Sequence, residues 1–424
     1  MLRSLYSALF YLTLPYVFLR LLWRSRLAPQ YRKRWKERLG FAPYTFEKSI
    51  WIHAVSVGET LAVVPLINAL LADYPDTPIV VTTMTPTGAQ RVEAAFGNRV
   101  KHAYIPYDTP GAIKRFLRRI QPIIAVIVET ELWPNMFFYC QKREIPIVVV
   151  NARLSLKSQK GYRLIKPLTC NLFSAIHILS TQSQADRDRF IELGMPHNKI
   201  IVTGNIKFDM TFPDDLLNQG ERLRAVLGEK RPIWIAASTH EGEEIQILDA
   251  HRVVCRRFPD ALLILVPRHP ERFDSVYVLS QKEGWITERR TQSSGCQAET
   301  NVYVGDTMGE LLLLYAASDI VFVGGSLIPR GGHNLLEPAL LHRPVLSGPH
   351  LFNFLAVRDL LLKAEAVTLV NDVPTLAESV CDFIQNPEKR SVVGMRAREV
   401  VLQNRGALAK QLELVKQCIR HDNF

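Results

Sequence analysis

The sequence has little of what would tie a chain to thiolate-metal, disulfide or ATP chemistry. Its six cysteines, Cys140, Cys170, Cys255, Cys296, Cys381 and Cys418, are scattered without CxxC or CxxH spacing. That suggests neither a thiolate zinc site nor a disulfide framework, and it fits a reducing compartment. No GxxxxGK[ST] sequence occurs, which disfavours phosphoryl transfer from ATP, and the eleven histidines show no regular metal-ligand spacing. No internal repeat and no low-complexity segment is present, so solenoids and disordered arrays are excluded. Charge is missing altogether from Ser4–Leu19, a stretch rich in Leu, Phe and Tyr.

What is there is an ordinary globular composition. With 424 residues and 47% hydrophobic content, the chain can bury a large core and has the length of two domains. The net charge of +11 is concentrated: Arg20, Arg24, Arg26, Arg32, Lys33, Arg34, Lys36 and Arg38 stand against one acid, Glu37. So local an excess points to a membrane surface rather than to nucleic acid, and no helix-turn-helix, RRM or zinc-finger signature is present. The uncharged Ser4–Leu19 run is a little short of the ~20 residues of a spanning helix. Leu21, Leu22 and Trp23 extend it if Arg20 snorkels. Spanning and lying on the surface both stay open, and the plain structural reading is a buried first helix with a solvated basic face. No small-residue cleavage site follows the run, so the segment is kept in the mature protein. Basic residues beside an apolar segment mark its cytoplasmic side and attract anionic lipid.

From residue 50 onward, short β-branched runs alternate with helical stretches, the pattern of parallel sheets covered by helices. Strands are expected at Ile50–Val55, Ile79–Thr83, Ile123–Val128, Ile145–Val150, Ala175–Leu179 and Ile200–Val202. After a polar stretch they resume at Ile233–Ala237, Ala261–Val266, Asn301–Val304, Ile320–Val323 and Pro344–Leu346. The expected organisation is an anchor and basic segment over 1–38, a Rossmann-like domain over 39–210, a linker over 211–230 and a second Rossmann-like domain over 231–424. One long helix over Glu388–Arg420 is expected to cross back onto the first domain. The fold class is α/β, with two doubly wound domains facing a cleft.

The chemistry-bearing residues should follow strands. In His53-Ala-Val-Ser-Val-Gly-Glu59, Ser56 and Gly58 turn the chain into a helix opened by Glu59, a carboxylate suited to take a proton from an acceptor hydroxyl. Its bland reading is a helix N-terminal acid favoured by the macrodipole. Thr82–Gly88 offers hydroxyls, with Thr85 equally suited to capping, and Glu129-Thr-Glu-Leu-Trp-Pro-Asn135 offers Glu129, Glu131 and a Trp face. In the second half, Val266–Arg272 carries Arg268, whose guanidinium suits phosphate oxygens, unless it pairs with Glu241 or Glu271. Gly305–Glu310 and Gly324–Pro338 combine glycines with a helix start, where free amides can form an anion site. There Asn334 and Glu337 can bond a ribose or base.

HAVSVGE, TELWPN, NARLS (Asn151–Ser155), GNIKFD (Gly204–Asp209), RHPER, GDTMGEL and GGSLIPRGGHNLLEPA together resemble the Kdo transferases of lipopolysaccharide synthesis. These are GT-B enzymes that use CMP-Kdo, the activated form of 3-deoxy-D-manno-octulosonic acid. The resemblance spans essentially the whole chain. It implies Glu59 as catalytic base, with CMP held by Pro267, Arg268, Met308, Gly309, Glu310, Asn334, Leu335, Leu336 and Glu337. Ser56, Gly58, Thr85, Glu129 and Glu131 are left as acceptor or Kdo contacts. It further implies inverting transfer to a lipid A precursor without metal or other cofactor, and a single N-terminal anchor holding the catalytic domains on the cytoplasmic face of the inner membrane. Another GT-B nucleotide-sugar transferase or a UDP-sugar 2-epimerase is the alternative.

Overall fold

The computed structural model describes residues 2–26, 29–293 and 295–421. Met1, Leu27, Ala28, Ser294 and residues 422–424, which belong to the anchor and second-domain spans named above, lie outside the described residues. The chain divides into two units, Met1–Asp209 with Arg405–Phe424, and Met210–Asn404.

In the first unit the strands are β1 (Ser49–His53), β2 (Ile79–Thr83), β3 (Lys101–Tyr104), β4 (Pro122–Val128), β5 (Ile147–Ala152), β6 (Ile176–Thr181) and β7 (Ile200–Val202). They form one sheet in the order β3-β2-β1-β4-β5-β6-β7, with every pairing parallel. The second unit holds β8 (Ile233–Thr239), β9 (Leu262–Pro267), β10 (Thr287–Arg289), β11 (Val302–Val304), β12 (Ile320–Val323), β13 (Val345–Ser347) and β14 (Val367–Leu369). Their order is β10-β11-β9-β8-β12-β13-β14, again all parallel. Strands of such sheets are covered on both faces, so they read as unbroken apolar runs; β1, β2, β5, β8 and β9 are buried at every position. The three strands that went unanticipated, β3, β10 and β14, are all sheet edges. An edge strand is short and half-solvated, and lacks the apolar run that marks a central one.

Two expectations about segments are corrected. Residues 211–230 are not a bare linker, because Leu216–Gly228 is a helix belonging to the second unit, with Leu216, Leu223 and Leu227 buried. Its stripe is weak in sequence because Gly220 occupies the contact position: a Cβ there would lie 2.6 Å from the Cβ of Ala316. The expected single helix over Glu388–Arg420 is two helices, Pro387–Gln403 in the second unit and Ala407–His421 in the first. Gly406, at φ +100°, makes the break. Val415, Cys418 and Ile419 of the last helix join the core formed by Ile50, Ile52 and Val126.

The start of that last helix is held by Asp209, whose carboxylate accepts the N–H groups of Gly406 (2.6 Å) and Leu408 (2.7 Å). This is capping from a distant part of the chain, and losing a cap costs about 1 kcal/mol. Asp209→Ala should therefore lower the unfolding free energy by ~1–2 kcal/mol in urea titration with the far-ultraviolet spectrum of the native protein unchanged.

The helix Leu2–Arg24 carries one face on the first unit and leaves the other bare. Only 11% of its most apolar stretch is buried, so it is not the buried first helix of the plain structural reading.

Candidate functional site

In each sheet the order reverses once, between β1 and β4 and between β8 and β12. Helices leave to opposite faces there, so the carboxyl ends of those strands are where an open α/β sheet presents its ligand-binding loops.

In the first unit that edge gathers carboxylates. Ser56 caps the helix Val57–Ala62 by accepting the N–H of Glu59 (3.2 Å), and the Glu59 carboxylate turns back to accept the N–H of Val55 (2.7 Å). Burial pushes the Glu59 carboxyl above its ordinary range, and the hydrogen bonds to Ser56 and Val55 only partly offset this. Gly58 has a right-handed backbone, so the turn does not demand glycine. A Cβ there would meet nothing closer than the Ser56 hydroxyl at 3.8 Å, an ordinary van der Waals contact. Glu129 follows β4 in the left-handed region, at φ 60°, a strained conformation for a carboxylate residue. It faces Arg153 (3.4 Å) and Lys207 (3.7 Å). Glu131 accepts the indole N–H of Trp133 (2.8 Å), and burial raises its pKa, as do the neighbouring charges of Glu59 and Glu129. His53, at the end of β1, is buried and held neutral, its pKa pushed down to about 4. Thr85 accepts the N–H of Gly88 (3.1 Å) as the cap of Pro86–Phe96, so its structural reading is the one observed. Gly88 packs closely, and a Cβ there would lie 3.1 Å from that of Thr83, a tight contact.

The second unit gathers cations and imidazoles. Arg268 follows β9, and among the described residues its guanidinium makes no ion pair, with Glu241, Glu271 or any other acid; Glu271 sits instead near His269 (4.0 Å). The positive charge of Arg268 nevertheless reaches His333 and Glu337, opposing on Glu337 the rise that burial causes. His240 and His333 lie with ring nitrogens 2.9 Å apart, and burial first, then neighbouring cations, lowers both pKa values, that of His333 to about 4. Neither histidine was singled out from sequence; only their places after β8 and within the glycine-rich loop pointed to them.

The glycine-rich loop after β12 differs from the open anion site expected of it. The buried carboxylate of Glu243 accepts the N–H groups of Gly325 (2.6 Å), Ser326 (2.9 Å), Leu327 (2.9 Å) and His240 (3.1 Å). The protein therefore fills this amide cradle with its own anion. Further on, Asn334 accepts the N–H of Leu336 (3.1 Å) and donates to Glu337 (3.0 Å), while the side chains of Leu335 and Leu336 are core. Only the backbone of those two leucines is left for a ligand. Glu310 is held by Arg290 (3.0 and 2.9 Å) and Thr307 (2.6 Å), and the Arg290 hydrogen bonds keep it below the usual carboxylate range. Before it, Met308 is exposed and Gly309 takes φ +88°. Pro267 closes β9.

Glu243→Ala leaves four amides without an acceptor. An unfolding free energy lower by ~3 kcal/mol is expected by urea titration, with Glu243→Gln losing about half as much because one carboxamide oxygen still accepts.

The two parallel sheets, with their polar loops at the strand-order reversals, define the fold as one of GT-B class. The Anabaena protein HepE solved with UDP superposes with a TM-score of 0.58 at 16% identity, over 87% of this chain and 99% of its own. A Listeria monocytogenes protein described as a UDP-N-acetylglucosamine 2-epimerase gives 0.57 at 16%, over 88% and 97%. At that identity both speak for the fold alone. The family described as 3-deoxy-D-manno-octulosonic-acid transferase (kdotransferase) matches residues 33–210. The 3-deoxy-D-manno-octulosonic acid transferase of Haemophilus influenzae is 42% identical over 98% of this chain and 98% of its own, and that of Bordetella pertussis 34% over 88% of each. The chain belongs to the 3-deoxy-D-manno-octulosonic acid (Kdo) transferase family.

Proposed function

We propose that the protein transfers Kdo from CMP-Kdo to a lipid A precursor with inversion, at the cytoplasmic face of the inner membrane, with Glu59 as general base. The observation that carries this reading is the Glu59 carboxyl, desolvated at the strand-order reversal with its pKa raised. A base works best when its pKa approaches the working pH. Glu59 takes the proton of an acceptor hydroxyl, the oxygen attacks the anomeric C2 of Kdo, and the C2–O bond to phosphate breaks with its electron pair leaving on CMP. Arg268, without a partner among the described residues, supplies the cation for the donor phosphate, a role in which one donor is worth on the order of 3 kcal/mol. Backbone groups around Met308 and Gly309, together with Asn334 and Glu337, hold the nucleotide in this reading. Glu129 and Glu131 line the acceptor side, Glu129 with its paired Arg153 and Lys207. No metal enters the reading.

The Haemophilus and Bordetella relatives support the sugar. The acceptor and the anchor rest on the apolar Leu2–Arg24 helix and the basic residues that follow it.

Glu59→Gln should lower kcat at least ~100-fold while CMP still raises the melting temperature, and mass spectrometry of the lipid product counts the sugars added. Because the base must be ionised, the rate falls as pH drops through its pKa. The raised value moves that acid limb above the ordinary carboxylate range of about 4.3, toward neutrality. Arg268→Ala should weaken CMP binding ~10–100-fold by titration calorimetry. CMP, and not UDP, should stabilise the wild type, and chelator should leave its rate unchanged.

A further inference from the structure

The helix Leu2–Arg24 is about 34 Å long, enough to cross a bilayer. Its bonding to the first unit forbids that. Near its start, Arg3 Nη1 and Ser7 Oγ both donate to the Asn135 side-chain oxygen (3.1 Å each), and the Arg3 guanidinium lies 3.6 Å over the Phe138 ring. Asn135 is itself buried and fixed by Asp108, which accepts its N–H at 2.9 Å. Midway, Phe10 packs on Tyr107 (ring centroids 6.4 Å) and the Gly111 N–H reaches the Tyr11 hydroxyl (3.4 Å). Toward the end, Phe18 packs on Tyr107 (5.7 Å) and Trp35 (5.3 Å), and Leu21 is buried. A helix fastened to a folded body over its whole length cannot also run through hydrocarbon, because the body's buried polar groups would have to follow it or lose their partners.

The face turned away from the body is a continuous apolar stripe. Leu2, Leu5, Leu9, Leu12, Tyr16 and Leu19 alternate at spacings of three and four, and all are exposed, Leu12 at 77%. Trp23 completes it, an amphipathic ring at the end where exposed Arg20, Arg24 and Arg26 begin. No acid precedes Glu37, and that residue is already held by Arg34 (2.6 and 2.8 Å) and the Tyr104 N–H (2.8 Å). An apolar stripe flanked by uncompensated cations is complementary to one leaflet of an anionic bilayer.

We propose that this helix lies in the plane of the cytoplasmic leaflet, docked to the first unit, and does not cross the membrane. The proposal rests on the membrane-bound reading above and specifies its geometry. It places the N-terminus on the same side of the membrane as the catalytic units.

The test uses the full chain with Ser4→Cys, an exposed position, and Asp76→Cys as a marker of the body's side. Inside-out membrane vesicles from expressing bacteria are treated with a membrane-impermeant maleimide, and label is read relative to the parent chain. Labelling of Ser4→Cys within about threefold of Asp76→Cys is expected; protection there, whether or not lysis restores labelling, overturns the proposal. A second measurement uses purified Leu9→Glu/Leu12→Glu on vesicles containing phosphatidylglycerol. Binding at least tenfold weaker than wild type, with an unchanged melting temperature, is expected. Unchanged vesicle binding, or lost self-association in place of lost binding, overturns it, the latter assigning the stripe to a second copy of the chain. Neither readout uses activity, so a failed transfer assay and a failed topology assay are distinguishable.

Discussion

The reversal of strand order at β1/β4 and at β8/β12 is the constraint on which the rest of the molecule depends. Each sheet begins near its middle and winds outward first one way, then the other. The helices that follow the central strands go to opposite faces, and the carboxyl ends between them stay uncovered. Glu59 follows β1, Glu129 and Glu131 follow β4, Glu243 follows β8 and Gly325 follows β12. Topology thus places the polar groups before any side-chain detail does, and burial at that edge then sets their electrostatics.

The two units use the same edge in opposite ways. The first crowds Glu59, Glu129 and Glu131: burial and the Glu129 charge raise Glu59, burial and the charges of Glu59 and Glu129 raise Glu131, and Glu129 itself faces Arg153 and Lys207. The second keeps Arg268 without a partner among the described residues and His240 and His333 neutral beside it, while Glu243 occupies the loop amides. The amides of Gly325, Ser326 and Leu327 are thus already taken by an internal carboxylate, while the Arg268 guanidinium is not taken by any acid among the described residues. The glycines after β12 then have a second explanation: they let the chain pack tightly around an internal carboxylate.

The basic segment also divides into two kinds of residue. Arg34 and Arg38 are structural, the first bonded to Glu37 and the second buried with its guanidinium donating to the Met84 carbonyl (2.9 Å). Arg20, Arg24, Arg26, Arg32, Lys33 and Lys36 remain exposed, Arg32 while donating to the Ser25 hydroxyl (2.8 Å). A count of charges could not have told these apart, since it is the fold that brings Glu37 and Met84 to their partners.

By itself the sequence determined that two parallel α/β units alternate along the chain, which strands form their centres, and that the polar motifs follow those strands. These properties are local: a strand covered on both faces needs an unbroken apolar run, and a turn into a helix needs capping and small residues within a few positions. It likewise placed Glu59, Arg268 and the Asn334–Glu337 segment among the candidates. Only the tertiary structure decided which candidates are free and which are spoken for, because pairing joins residues distant in the chain: Glu243 with Gly325, Glu310 with Arg290, Asp209 with Gly406, Arg3 with Asn135. The edge strands, the helix Leu216–Gly228 and the break at Gly406 escaped for the same reason. Their stability comes from neighbours across space rather than from their own pattern, and an apolar run such as Leu2–Leu22 reads alike whether its polar seam faces water or a protein.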